Sequence, residues 1–229
     1  MCSSDLPALL RMRYLRPTGL ALAAAGLASL PYFLSYPNAL TGFVQTNLQA
    51  GHFKGALTHA GNVGLWGSLV RMGAHFSDAP LSELTTLADL PLWAALPAYA
   101  MPALGSLAAL YVSWRSRSDD PVLHLSLWMT TYFLVYKDVW EHHYVFLLPV
   151  IIALYMSRSD ARLLGLYVAL ALPTPFILFD VQPGVYGPID PERSWDMATS
   201  LIYRSAKLVP TLLLWVYVAQ QLQIGRAHV

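Results

Sequence analysis

The stretch Lys137-Asp138-Val139-Trp140-Glu141-His142-His143-Tyr144 sets two imidazoles, two carboxylates and an amine beside large aromatics, between two runs apolar enough for a lipid bilayer. Charged groups at hydrocarbon depth cost several kcal/mol and persist where they pair, line a wet cavity or serve a function. If the segment is α-helical, Trp140, His143 and Tyr144 share one face while Asp138 and His142 share another, and adjacent histidines diverge by about 100°. The aromatic face therefore favours His143 over His142 as the residue turned toward a pocket. Zinc would require a second His at helical spacing or a cysteine set; neither is present, Cys2 being the only cysteine, and no metal is expected. The bland reading is an interfacial helix start, with Trp140 and Tyr144 in the aromatic belt and the charges solvated.

A second stretch, Gly61-Asn62-Val63-Gly64-Leu65-Trp66-Gly67-Ser68-Leu69-Val70-Arg71, joins a glycine-rich turn to an amphipathic run that ends on a cation. Further along, Arg204 and Lys207 lie at i,i+3, a spacing that lets both face one phosphate. Arg204 and Lys207 equally suit snorkelling to headgroups, Arg71 suits anchoring an interfacial helix, and Asn62 beside glycines suits a turn. Glu141 lies one turn after Lys137 and can pair with it.

These residues must be positioned by a membrane architecture. Of 229 residues, 56% are hydrophobic and 12% charged, where a soluble globule carries about 25% charged. The mean hydropathy is +0.46. A net charge of +1 gives no basic surface for nucleic acid. Apolar runs over Thr18 to Tyr36, Leu92 to Trp114, Val122 to Tyr136, Val139 to Met156, Leu163 to Phe179 and Leu201 to Leu222 predict an all-α, polytopic membrane protein of about six spans. Pro97, Pro102, Pro149, Pro173, Pro175 and Pro210 are expected as kinks within them.

Arg11, Arg13, Arg16, Arg115, Arg117, Arg158 and Arg162 fall on one side of such a bundle, which the positive-inside rule makes cytoplasmic. Both ends are then inside, and the Lys137 turn, the segment Pro37 to Pro91 and the loop Asp180 to Ser200 face outside. The long outer segment is expected to carry short interfacial or re-entrant helices. Residues 1–6 and 224–229 read as sequence foreign to the rest, leaving 7–223 as one membrane-embedded domain.

Trp140-Glu141-His142-His143-Tyr144, continuing through Leu147-Leu148-Pro149, resembles the W-x-H-H-Y/W…L-P signature of the GT87 family, membrane glycosyltransferases of the GT-C class. Gly61, Asn62, Leu65, Gly67 and Arg71 are similar, at the same spacing, to that family's G-N-Q-S-L-x-G-x-x-x-R stretch. Val63 and Gly64 depart from it, as does Tyr136-Lys137-Asp138-Val139, which stands where Ser-Pro-Ile/Val-Ser is usual.

The resemblance implies the C-terminal half of a GT-C fold covering most of Pro37 to Leu222. It implies transfer of a hexose, mannose by family default, from a polyprenyl-phosphate donor to an acceptor hydroxyl on a glycan or glycolipid at the outer face of the plasma membrane. No cofactor is expected, the lipid-phosphate sugar being the donor substrate. His143 and His142 become the expected catalytic residues, and Trp140, Tyr144, Asn62, Arg71, Lys137, Arg204 and Lys207 the expected substrate contacts. The general-base Asp is expected in an N-terminal half outside this chain, which alone would then be inactive. The competing expectation is a multi-pass transporter or channel subunit; a structural membrane subunit with no site of its own is a third.

Overall fold

The computed structural model of this protein describes residues 61–81, 83–116, 118–173 and 195–224, with His59 and scattered positions between 23 and 41. The expected span Thr18 to Tyr36 lies outside these residues apart from isolated helical positions, as do residues 1–6, 225–229, Pro175, Asp180 and Asp190. The chain divides into two compact units, Met1–Gln49 and Ala50–Val229. The second unit carries both polar motifs.

That unit is built from α1 (Leu65–Phe76), α2 (Leu92–Arg115), α3 (Pro121–Val135), α4 (Leu148–Arg158), α5 (Ala161–Ala171) and α6 (Met197–Ile224), with 3-10 turns at Leu87–Asp89 and Glu141–Leu147. Among the described residues the β structure is a single antiparallel bridge between Asn62 and Trp140.

Local chemistry explains the helix ends. Asp120 caps α3 by accepting from the Val122 amide at 2.9 Å, and Pro121 begins that helix where its missing N–H costs nothing. α4 ends on Ser159 in the left-handed conformation (φ 51°), and Asp160 at once caps α5 through the Arg162 amide. The side chains of Ser126, Thr130 and Thr131 bond carbonyls one turn back within α3, so these polar groups are buried at no hydrogen-bonding loss.

The core is apolar and central. Leu123, Leu127 and Phe133 of α3 interlock with Ile151 and Leu154 of α4, Leu163 of α5, and Leu214 and Val218 of α6. Trp66, Val70 and Ala74 of α1 pack on Ala94, Ala95 and Ala98 of α2.

Two helices, α2 and α6, are long and apolar enough to cross a membrane. Pro97, Pro102 and Pro210 lie inside these two helices. α2 is not a buried core helix: Leu92, Trp93, Leu96, Leu104, Leu107 and Trp114 are all more than half exposed, a continuous apolar surface that water does not favour.

Among the described residues, the other apolar runs do not form helices of spanning length. α3 and α5 are apolar but short, at 15 and 11 residues. The run Val139 to Met156 is broken, with Val139 and Trp140 extended, Glu141–Leu147 a 3-10 turn, and α-helix beginning at Leu148. Pro149 sits in the first turn of α4 rather than kinking a longer helix. Pro173 follows the end of α5. Hydropathy alone cannot separate one long apolar helix from an apolar turn joined to a short one.

Candidate functional site

Gly61 to Arg71 and Lys137 to Tyr144, distant in the chain, lie against each other. Asn62 is the clasp. It is 2% exposed, and its side chain serves the 137–139 backbone as a strand neighbour would: Nδ2 donates to the Lys137 carbonyl at 2.8 Å and Oδ1 accepts from the Val139 amide at 3.3 Å. One residue on, the Val63 amide donates to the Val139 carbonyl at 2.9 Å. A carboxylate could not supply the donor, so Asn62→Asp is expected to cost about 1–3 kcal/mol by turning an acceptor on the Lys137 carbonyl. Thermal unfolding against wild type measures it, and an unchanged midpoint would show that the clasp does not bear on stability.

The glycines are consequences of this contact. A Cβ at Gly61 would meet the Trp140 ring at 2.4 and 2.5 Å, so only hydrogen fits beneath the indole. A Cβ at Gly67 would lie 2.9 Å from the Arg204 guanidinium and 3.0 Å from the Asn62 carbonyl oxygen. Arg204 completes the junction from α6. It is fully buried, donating through Nη1 to the Asn62 carbonyl and through Nη2 to the His59 carbonyl at 3.2 Å.

Arg71, 5% exposed, donates to the Trp195 carbonyl at 3.2 Å and so ties α1 to the start of α6. The two arginines expected to hold a phosphate are interior staples on backbone carbonyls. Arg204 and Lys207, expected on one face from their spacing, reach different partners: the loop at His59 and Asn62, and the end of α5.

Around Trp140 the segment is 3-10, with three residues per turn, which corrects the expected α-helical faces. Trp140 and His143 do stay together: the His143 amide donates to the Trp140 carbonyl at 2.9 Å, and His143 Nδ1 accepts from the Trp140 amide at 3.2 Å. With Nδ1 an acceptor, neutral His143 carries its proton on Nε2. The Trp140 indole N–H donates to Asp138. Tyr144 parts from this pair. It is 1% exposed, packs on Phe133 at 5.2 Å and directs its hydroxyl at the Val63 carbonyl, 3.5 Å away. Burial pushes its phenol well above the ordinary range, so it stays protonated.

Burial and the adjacent His142 hold the His143 imidazole below its ordinary 6.5, with Asp138 pulling weakly the other way. The unfolded chain therefore takes up a proton at a higher pH than the folded one. The stability His143 contributes is complete above 6.5 and is lost as pH falls from 6.5 through the lowered value. The unfolding midpoint of wild type should fall more steeply than that of His143→Gln between about pH 7 and about pH 5. Parallel curves would contradict this.

Beside the junction is a cleft of about 480 Å³, lined by Glu141, His142, Tyr144, Val145 and Leu148 around the 3-10 turn, by Leu170 to Pro173 at the end of α5, and by Lys207 of α6. The volume is in the range of small-ligand sites. Its imidazole is His142, which is exposed, and not His143, whose ring nitrogen is turned to the Trp140 backbone. On this cleft the lining imidazole is thus His142 and not the expected His143. The three-residue turn is the reason, since it sets the pairs Glu141 with Tyr144 and His142 with Val145 on the cleft and leaves Trp140 and His143 together away from it.

Lys207 is 2% exposed, and its ammonium donates to the carbonyls of Leu170, at 2.8 Å, and Leu172, where α5 ends. A cation there complements the helix dipole, and an ammonium has a third donor for the cleft. Lys137 contributes its backbone carbonyl to the Asn62 clasp.

His59 and Glu141 were not singled out as site residues. His59 Nδ1 accepts from the Gly61 amide at 2.9 Å and its ring lies 5.2 Å from that of Trp140. Its only sequence signal is a histidine two residues before a glycine-led turn. Among the described residues no cluster of three or more metal-ligating side chains is present. No known protein family, curated protein or solved structure matches the chain.

Proposed function

We propose that this chain is part of a multi-pass membrane glycosyltransferase that moves a hexose from a polyprenyl-phosphate donor to an acceptor hydroxyl at the extracytoplasmic face of the plasma membrane. One observation carries the reading: the two segments that resemble GT87 motifs pack as one junction, clasped by Asn62 and Arg204, at the edge of a cleft lined by both ionic and apolar side chains. A donor of this class has the same division, a phosphate and sugar on an isoprenoid chain.

In the proposed reaction the acceptor oxygen attacks the anomeric carbon as the bond from that carbon to the phosphate oxygen breaks. The electron pair leaves on the phosphate and the acceptor proton passes to a carboxylate base. Negative charge grows on the phosphate, where the Lys207 ammonium and the His142 imidazole supply hydrogen-bond donors. Apolar Val145, Leu148, Leu170 and Leu172 suit the first isoprene units. Arg204, Asn62 and Arg71 hold the walls and do not touch the donor. The mannose preference rests on the resemblance alone. In this reading α2 and α6 cross the bilayer, the shorter apolar helices pack beside them without crossing it alone, and the arginine-bearing ends lie inside.

The test is transfer of labelled hexose from polyprenyl-phosphate hexose by membranes carrying the full-length protein, with the anomeric configuration of the product determined. A glycosylated product of inverted configuration is expected. Substrate flux into vesicles with no glycosylated product would replace this reading with a transporter.

A further inference from the structure

At the opposite end of the helices a larger cleft, about 720 Å³, is lined by Tyr111, Trp114 and Arg115 of α2 and Gln223 of α6. Its floor is tied together, because the Ser116 hydroxyl after α2 donates to the Leu222 carbonyl of α6 at 3.2 Å.

The cations at this end differ in what they face. Arg158 is paired with Asp120 at 2.9 Å and also reaches Gln221, while Arg162 is paired with Asp160 at 2.6 Å and lies over the Tyr217 ring. Arg115 is exposed and, among the described residues, takes no part in an ion pair.

The apolar surface leads to it. Leu104, Leu107, Tyr111 and Trp114 recur at helical spacing along one side of α2, each more than half exposed, and the stripe runs into the cleft at Arg115. Guanidinium recognises a phosphodiester through forked hydrogen bonds, a neighbouring amide adds a donor, and interfacial aromatics pack at the glycerol level.

We infer that this cleft seats the headgroup of one anionic phospholipid, its phosphate on Arg115 and Gln223 and an acyl chain along the α2 stripe. The inference uses the membrane-embedded part of the reading above and none of its chemistry.

For the test, the full chain is reconstituted in phosphatidylcholine vesicles containing a small fraction of brominated phosphatidylglycerol or brominated phosphatidylcholine. The Trp114 signal is the difference between wild type and Trp114→Phe. Half-quenching should need about fivefold less of the anionic lipid, the scale expected of one basic side chain at a charged surface, and Arg115→Gln should abolish the preference. Equal quenching by both lipids in wild type, or a preference unchanged in Arg115→Gln, would overturn the headgroup site and leave an aromatic anchor. Flotation separates the two ideas, since protein that fails to float with vesicles overturns the membrane reading and the lipid site with it. Protein that floats without lipid preference overturns the lipid site alone.

Discussion

Arg204→Met is expected to lower stability by about 3 kcal/mol or more, a roughly hundredfold shift toward the unfolded chain. The methionine fills much of the same volume but leaves the carbonyls of Asn62 and His59 without the guanidinium that now binds both. Buried carbonyls stripped of a charged donor lose more than a neutral hydrogen bond, because water does not reach them. The damage should spread beyond the deletion, since Arg204 packs on Gly67 and holds the loop whose Asn62 clasps Lys137 to Val139. Arg204→Lys should recover only part of the loss, because an ammonium lacks the planar fork that reaches two acceptors. The unfolding midpoint and the monodisperse fraction after heating measure this. A midpoint of Arg204→Met equal to wild type would show the junction to be held by something else.

His142→Ala is expected to do the opposite, leaving the fold intact while cutting hexose transfer about 10²-fold. Its side chain is exposed and lines the cleft, so little burial is lost, whereas the proposed reaction would lose one donor to the leaving phosphate. The effect should fall on kcat more than on KM, because phosphate charge grows mainly in the transition state. His143→Gln is a useful contrast. Glutamine can still accept from the Trp140 amide through its side-chain oxygen, so that variant should retain much of its transfer activity. Wild-type turnover by His142→Ala in the full-length protein would remove this residue from the site.

The parts that were legible from sequence are those set by local composition. α2 and α6 follow from length and hydropathy, because their apolar runs contain few charges, and the polar junction was visible as an energetic exception between such runs. The 3-10 turn at Glu141–Leu147 was not legible. Over so short a stretch the i+3 spacing is common to 3-10 and α-helix, and only the backbone geometry separates them. That difference set His142 on the cleft in place of His143 and buried Tyr144 between the cleft and Phe133 of the core. The Asn62 to Trp140 bridge is a long-range pairing that no local pattern encodes. Arg71, Arg204 and Lys207 were singled out as substrate contacts from residue type and spacing; the partners they have in the structure are backbone carbonyls, which any sequence offers at every position.

The most direct measurement is crosslinking with a photoactivatable polyprenyl-phosphate hexose, its reactive group near the phosphate, followed by mapping of the labelled peptides. The account predicts label concentrated on Glu141 to Leu148 and Leu170 to Pro173, the two walls of the cleft, and displaced by excess unlabelled donor but not by an uncharged polyprenol. Label spread along the exposed faces of α2 and α6 and insensitive to competitor would contradict it, leaving an apolar surface in lipid and no donor site.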